Sequence, residues 1–188
     1  RISISFQRMP LLAKYKKTSV PYIEAYFDEA ISTLLLNRIQ SGIVAQNLPV
    51  SNVRIERGKF MEMNDIDAFT ISFETVPEAV YSSLGFMSGE INRMAKSGFN
   101  NQEFRSTIEN HYRSVESVYD NRFVQPNSRF MERAMENWFR GFSLASIEMH
   151  FEIMKEILYS GMIRTEQLNN YASALLGQKE GVVIACRM

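Results

Sequence analysis

Cysteine is nearly missing from this chain: Cys186 is the only one among 188 residues. A single thiol closes no internal disulfide and rules out a thiolate-rich zinc site. Histidine is almost as scarce, with His111 and His150 the only two. Any imidazole-based metal centre or acid–base pair is therefore confined to one of those two positions. Net charge is missing too, because 21 Lys and Arg balance 21 Asp and Glu. Such a chain has no global field to draw it toward nucleic acid or an anionic membrane, though a local basic patch remains open to it. No apolar run reaches the roughly 18 residues that a membrane-spanning helix needs, so no membrane span is expected.

What is present is core material. Hydrophobic residues make up 45% of the chain and aromatics 12%, which excludes disorder as the main state. The length fits one domain over residues 1–188. The sequence opens at Arg1 with no Met and no readable signal peptide, as expected of a piece of a longer multidomain chain.

Ile2, Ile4 and Phe6 alternate with Ser3, Ser5 and Gln7, the period-two pattern of a half-buried strand. Residues 8–21 follow as a connector bounded by Pro10 and Pro21. Its lysines, Lys14, Lys16 and Lys17, read as a solvated linker rather than a phosphate site, since no glycine is interleaved. From Pro21 the period changes to 3.6. Ile23, Phe27, Ala30, Ile31, Leu34 and Leu35 share a face, Glu24, Asp28 and Ser32 lie opposite, and the helix fades between Gly42 and Asn47. Residues 52–61 and 66–75 read as an antiparallel pair around Asn64-Asp65, with Gly58 a candidate bulge. In the second of these strands Phe69, Ile71 and Phe73 point one way.

Pro77 suits the first turn of a helix over 77–97, and Gly98 stands where a left-handed cap belongs. Asn100 followed three residues later by Glu103 is a capping-box pattern, opening a helix over 101–121 that buries Phe104, Ile108, Val115 and Tyr119. Three more helices are expected over 128–140, 145–159 and 164–176. In the first of them Phe130, Met131, Ala134, Met135 and Trp138 recur at helical spacing, which favours core packing over a ligand cage. Val182–Cys186 is an unbroken apolar run after Gly181, as in a strand buried on both faces, with Cys186 an inert small hydrophobe. The order is β-α-β-β-α-α-α-α-α-β. Clustered rather than alternating helices predict an α+β fold: one antiparallel or mixed sheet with helices packed on one face.

Chemistry is harder to find. A zinc-protease helix places two His four residues apart, where both reach one ion while a Glu polarises water. The residues three and four past His111 are Ser114 and Val115, and those past His150 are Ile153 and Met154. Each histidine therefore reads as a residue bordering an apolar face, although Glu148 and Glu152 flank His150. No G-x-S-x-G elbow, Walker loop or dinucleotide glycine pattern occurs. Glu62, Asp65 and Asp67 gather near a hairpin turn and read as solvated carboxylates rather than an acid–base pair. Neither a catalytic nor a metal-ligating residue is assigned.

Several stretches nevertheless resemble one family. Leu34-Leu35-Leu36-Asn37-Arg38-Ile39 resembles the "LLNRRL"-type segment on the first long helix of pitrilysin/insulinase-type (inverzincin) metallopeptidase domains. Lys96 to Phe104, with Gly98, Asn100 and Glu103, resembles their "GFTxxEL" helix–loop–helix junction. The later helices, the segment Ser146 to Leu158 and the strand Gly181–Cys186 follow in the same order. The resemblance implies homologous domains forming a closing chamber around an extended peptide, with zinc held by an H-x-x-E-H helix in one of them. This chain lacks that motif, so the resemblance makes it a non-catalytic domain, with zinc in the catalytic domain of the parent chain. In related enzymes the domain opposite the metal also has an Arg with a Tyr seven residues on, within an "LGY" element, reaching substrate; here the residue seven past Arg38 is Ala45 and no "LGY" follows. That departure points to the structural partner following the catalytic domain. The implied partners are that catalytic domain or a homologous subunit, and a peptide in the chamber. The implied compartment is the cell envelope or periplasm. A non-proteolytic scaffold or core subunit of the same fold is the alternative.

Overall fold

The computed structural model describes residues 1–62 and 66–187. Its elements run β1 (Ile2–Arg8), α1 (Val20–Gln46), β2 (Val50–Lys59), β3 (Asp67–Thr75), α2 (Val80–Ser97), α3 (Asn101–Asp120), α4 (Asn127–Met135), α5 (Ile147–Tyr159), α6 (Thr165–Leu176) and β4 (Val182–Cys186). The order is the expected one. All pairings in the four-stranded sheet are antiparallel, in the order β2-β3-β1-β4. The turn expected around Asn64-Asp65 lies outside the described residues.

The chain divides into two compact units, one of Arg1–Pro10, Asp28–Phe99 and Glu166–Met188, the other of Leu11–Phe27 and Asn100–Thr165. The first holds the sheet. In it Ile2, Ile4 and Phe6 stand opposite Phe73, Ile71 and Phe69, and all six are buried. Period two puts Arg8 on that same face, where it reaches Asp28 of α1 and Tyr171 of α6. Thr75 shares the face and meets Ser83 of α2, hydroxyl to hydroxyl at 2.9 Å. The helices of this unit thus pack on one side of the sheet. Ile31, Leu35 and Ile39 of α1 and Met87 and Met94 of α2 close over it as the core. Gly42 is where α1 and α2 meet most tightly, since a methyl there would stand 2.5 Å from Phe86 Cζ.

In the second unit α3 packs against α5. Phe151 of α5 stacks on Tyr119 of α3 with ring centroids 4.4 Å apart, and Tyr112 adds a tilted contact at 6.0 Å. Ile147, Met154, Ile157 and Leu158 complete the buried face of α5. The start of α1 contributes Tyr26, fully buried, whose hydroxyl meets that of Thr107 at 2.9 Å.

Several expectations fail, each for a physical reason. Asp67, expected as a solvated turn carboxylate, is buried at the start of β3, where it pairs with Arg8 of β1. The bulge in β2 lies between Ser51 and Arg54, where Asn52 takes φ 52°, and not at Gly58, which pairs in register with Ala68. Asn tolerates the left-handed region because its amide bonds locally; here it donates to Glu74 at 2.7 Å. Asp28 is buried rather than solvated. The strand β4 is an edge, bonded only to β1, so Ile184, Ala185 and Cys186 are exposed rather than buried on both faces. An apolar run does not say whether a strand is central. Finally, no residue of α4 is buried. Phe130, Met131, Met135 and Trp138 are exposed instead of forming core, because periodicity defines a face but not the side on which the body lies.

Candidate functional site

The residues that carry the family resemblance build a junction. In the first unit, α2 ends at Gly98, whose φ 56° and ψ −139° differ from the expected left-handed helical cap, with its N–H bonded to the carbonyl of Met94 at 2.9 Å. Arg38 of α1 donates through Nη2 to the Gly98 carbonyl at 3.0 Å and through Nη1 to Met94 Sδ at 3.5 Å. Asn169 of α6 clamps the next peptide from both sides: its Oδ1 accepts from Phe99 N–H at 2.7 Å and its Nδ2 donates to the Phe99 carbonyl at 3.1 Å. A Cβ at Gly98 would collide with the Asn169 amide, so glycine is required by space as well as by φ. Arg38 and Asn169 thereby satisfy polar groups that the end of α2 would otherwise leave orphaned. Asn37, one position before Arg38, is exposed.

In the second unit the capping box forms in full. Asn100 Oδ1 accepts from the N–H groups of Gln102 and Glu103, each at 2.9 Å, and Glu103 Oε2 accepts from Asn100 N–H at 2.8 Å. Four of the motif residues thus lie at helix ends: Arg38 bonds Gly98 at the end of α2, and Asn100 and Glu103 cap the start of α3.

The histidines stand on separate helices of the second unit, each against a tyrosine of α1. His111 lies 5.1 Å from Tyr26 by ring centroids, and His150 meets Tyr22 edge-on at 5.2 Å. Burial, helped by the charges of Arg133, His111 and Arg129, lowers the pKa of His150 from 6.5 to about 4. Its imidazole is neutral near pH 7. Burial also raises the pKa of Tyr22, with Arg133 opposing. Glu148, one of the two carboxylates flanking His150 in sequence, turns instead to Arg122 at 3.4 Å. Its pKa is lowered by hydrogen bonds with its own backbone N–H and Ser146 at the start of α5. Among the described residues no group of three or more His, Cys, Asp or Glu side chains gathers where it could hold a metal ion.

Sequence reasoning missed the most polar feature of the first unit. Arg8 grips Asp28 with two parallel bonds, Nη1 to Oδ1 at 3.0 Å and Nη2 to Oδ2 at 2.7 Å. Tyr171 OH accepts from Arg8 Nη1 at 2.6 Å and donates to Asp28 Oδ1 at 2.9 Å. Asp67, buried at the start of β3, faces Arg8 in register. The cluster ties β1, α1 and α6 together, and a bidentate guanidinium is what makes a buried carboxylate tolerable there. The available signal was position: Asp28 sits between Phe27 and Ala30, at the border of the apolar face.

No family profile matches the chain, and no curated protein sequence matches it. Solved structures do. The first half of the periplasmic protease PqqL from Escherichia coli is similar over 97% of this chain and 38% of its own, with TM-score 0.80 and 13% identity. The whole of PqqL is matched over 19% of its length. A Yersinia pestis protein predicted to be an insulinase family protease is similar over 98% of this chain and 39% of its own, with TM-score 0.78 and 14% identity. The inactive peptidase domain of a candidate zinc protease from Bordetella parapertussis is similar over 98% of this chain and 88% of its own, with TM-score 0.62 and 9% identity. The chain thus has the fold of a pitrilysin/insulinase-type peptidase domain, and it spans about two-fifths of the first structures it resembles.

Proposed function

We propose that this chain is a non-catalytic, chamber-forming domain of a zinc metalloendopeptidase that degrades peptides, the zinc being held by another domain of the parent chain. The observation that carries this reading is the pairing of a peptidase-domain fold with histidines that face tyrosine rings and arginines. Such a domain contributes by shape. It packs against the catalytic domain, or a homologous subunit, and walls off a space that admits extended peptides, which takes no reactive residue. The neighbour described as an inactive peptidase domain supports this division of labour. A periplasmic or envelope location rests on likeness to PqqL alone.

The chain should bind no stoichiometric zinc in equilibrium dialysis and cleave no unstructured peptide. Tight one-to-one zinc binding together with chelator-sensitive cleavage would overturn the reading. A non-proteolytic scaffold of the same fold is the competing account, and it makes the same prediction for the isolated chain. The two part when the parent chain is assayed, because only the peptidase reading requires chelator-sensitive cleavage there.

A further inference from the structure

The helix α4 is built inside out. Phe130, Ala134 and Trp138 fall four apart along one line, with Met131, Met135 and Phe139 along the next, continued through a π-helical turn at Glu136–Arg140. This whole apolar side faces solvent: Met131 is 61% exposed, Trp138 84% and Phe139 72%. The polar side faces the body of the unit. Arg133, Asn137 and Arg140 are half-buried, Arg133 lies close enough to His150 to shift its pKa, and Asn137 donates to the Phe142 carbonyl at 2.5 Å. Burying a large apolar side chain contributes about 1.5–3 kcal/mol, and α4 forgoes that for its aromatics and methionines. A contiguous patch of this kind marks a surface that something else covers.

One end of the stripe is basic. One connector lysine returns here: Lys16 Nζ stands 5.7 Å from the Phe142 ring and the Arg140 guanidinium 5.2 Å from the same ring. Gly141, which ends the π-helical turn at φ 73°, leaves room for the Lys16 stem. Among the described residues Lys14, Lys16 and Lys17 join no salt bridge. Trp, Phe, Met and Arg are the residue types enriched in interface cores.

We propose that the outward face of α4, with Lys16 and Arg140 at its end, docks an acidic amphipathic polypeptide segment: apolar residues every fourth position, carboxylates at one end. Recognition is a helix laid along a helix, with anchors at i, i+4 and i+8 against Phe130, Ala134 and Trp138. An anionic membrane fits less well, because the exposed Glu132 and Glu136 border the stripe and would be pressed against headgroups. Nucleic acid fits less well again, since Lys16 and Arg140 lie at one end only and the exposed Glu132 and Glu136 border the rest of the stripe. The proposal stands on this chain alone and does not depend on the peptidase reading.

Trp138 is the only tryptophan, so its emission reports directly on the surface. Titrating the chain with a synthetic helical peptide carrying Leu at every fourth position and a Glu-rich end should give a saturable blue shift. Lys16→Glu should weaken it by about tenfold, as loss of rim charge complementarity does. Met131→Glu with Met135→Glu should abolish it while leaving the melting temperature unchanged, since both side chains are exposed. Absence of the shift overturns the proposal, as does an equal shift with a Lys-ended peptide. A shift produced only by phosphatidylglycerol vesicles also overturns it, in favour of a membrane. A shift that grows with protein concentration alone, with dimers in sedimentation, overturns it in favour of a second copy.

Discussion

Helix α5 buries Ile147, Phe151, Met154, Ile157 and Leu158, whereas α4, with an apolar stripe just as regular, buries none of its residues. Both lie in the same unit and both alternate apolar and charged positions at helical spacing. What separates them is the neighbour. The apolar side of α5 meets Tyr112 and Tyr119 of α3, whereas in α4 and the π-helical turn after it the half-buried side chains are Arg133, Asn137 and Arg140. Amphipathicity is therefore a property of a segment, while burial is a property of a pair of segments.

The contrast can be broken most forcefully at α5. Phe151→Ala removes the ring stacked on Tyr119 and should lower unfolding free energy by about 3–4 kcal/mol, read by urea denaturation; a loss as small as a surface substitution would mean that α5 is not core. Next comes His150, whose pKa is lowered from 6.5 to about 4. A depressed histidine means that the unfolded chain binds more protons between those values, so stability falls as pH drops from about 6.5 toward 4. Discounting for the part of the ring still in water, the loss should be about 2 kcal/mol. His150→Gln should flatten that stretch of the stability–pH curve, and an unchanged slope would refute the burial. A smaller effect, about 1 kcal/mol, is expected for Asn100→Ala, which uncaps α3 and so loosens the platform on which α5 rests; the loss should appear in the melting temperature. Smallest of all, Trp138→Ala should change stability by no more than about 0.5 kcal/mol, and a core-sized loss there would show that α4 faces inward after all.

Element order was legible in the sequence because it is written locally. The alternation of Ile2, Ile4 and Phe6, the Gly98 stop and the Asn100–Glu103 box each act within a few residues, and each is found in place. The failures are all nonlocal. Asp28 is buried because Arg8 and Tyr171, far away in the chain, supply its partners. Ile184 is exposed because β4 has a neighbour on one side only. For the candidate site, the resemblance picked out Arg38 and Gly98 but could not say why they matter together. That reason is a hydrogen bond across 60 positions.

The place of β1 between β3 and β4 has a consequence for biosynthesis. Within this sheet the strand earliest in the sequence is completed by the latest: one of its edges waits for Asp67–Thr75, the other for Val182–Cys186, and its Arg8 waits for Tyr171. All of α2 to α6 must leave the ribosome before that second edge is filled. Until then a nascent chain presents an open row of N–H and C=O groups beside Ile2, Ile4 and Phe6, so a product stalled or clipped ahead of β4 is the form most exposed to strand-by-strand aggregation.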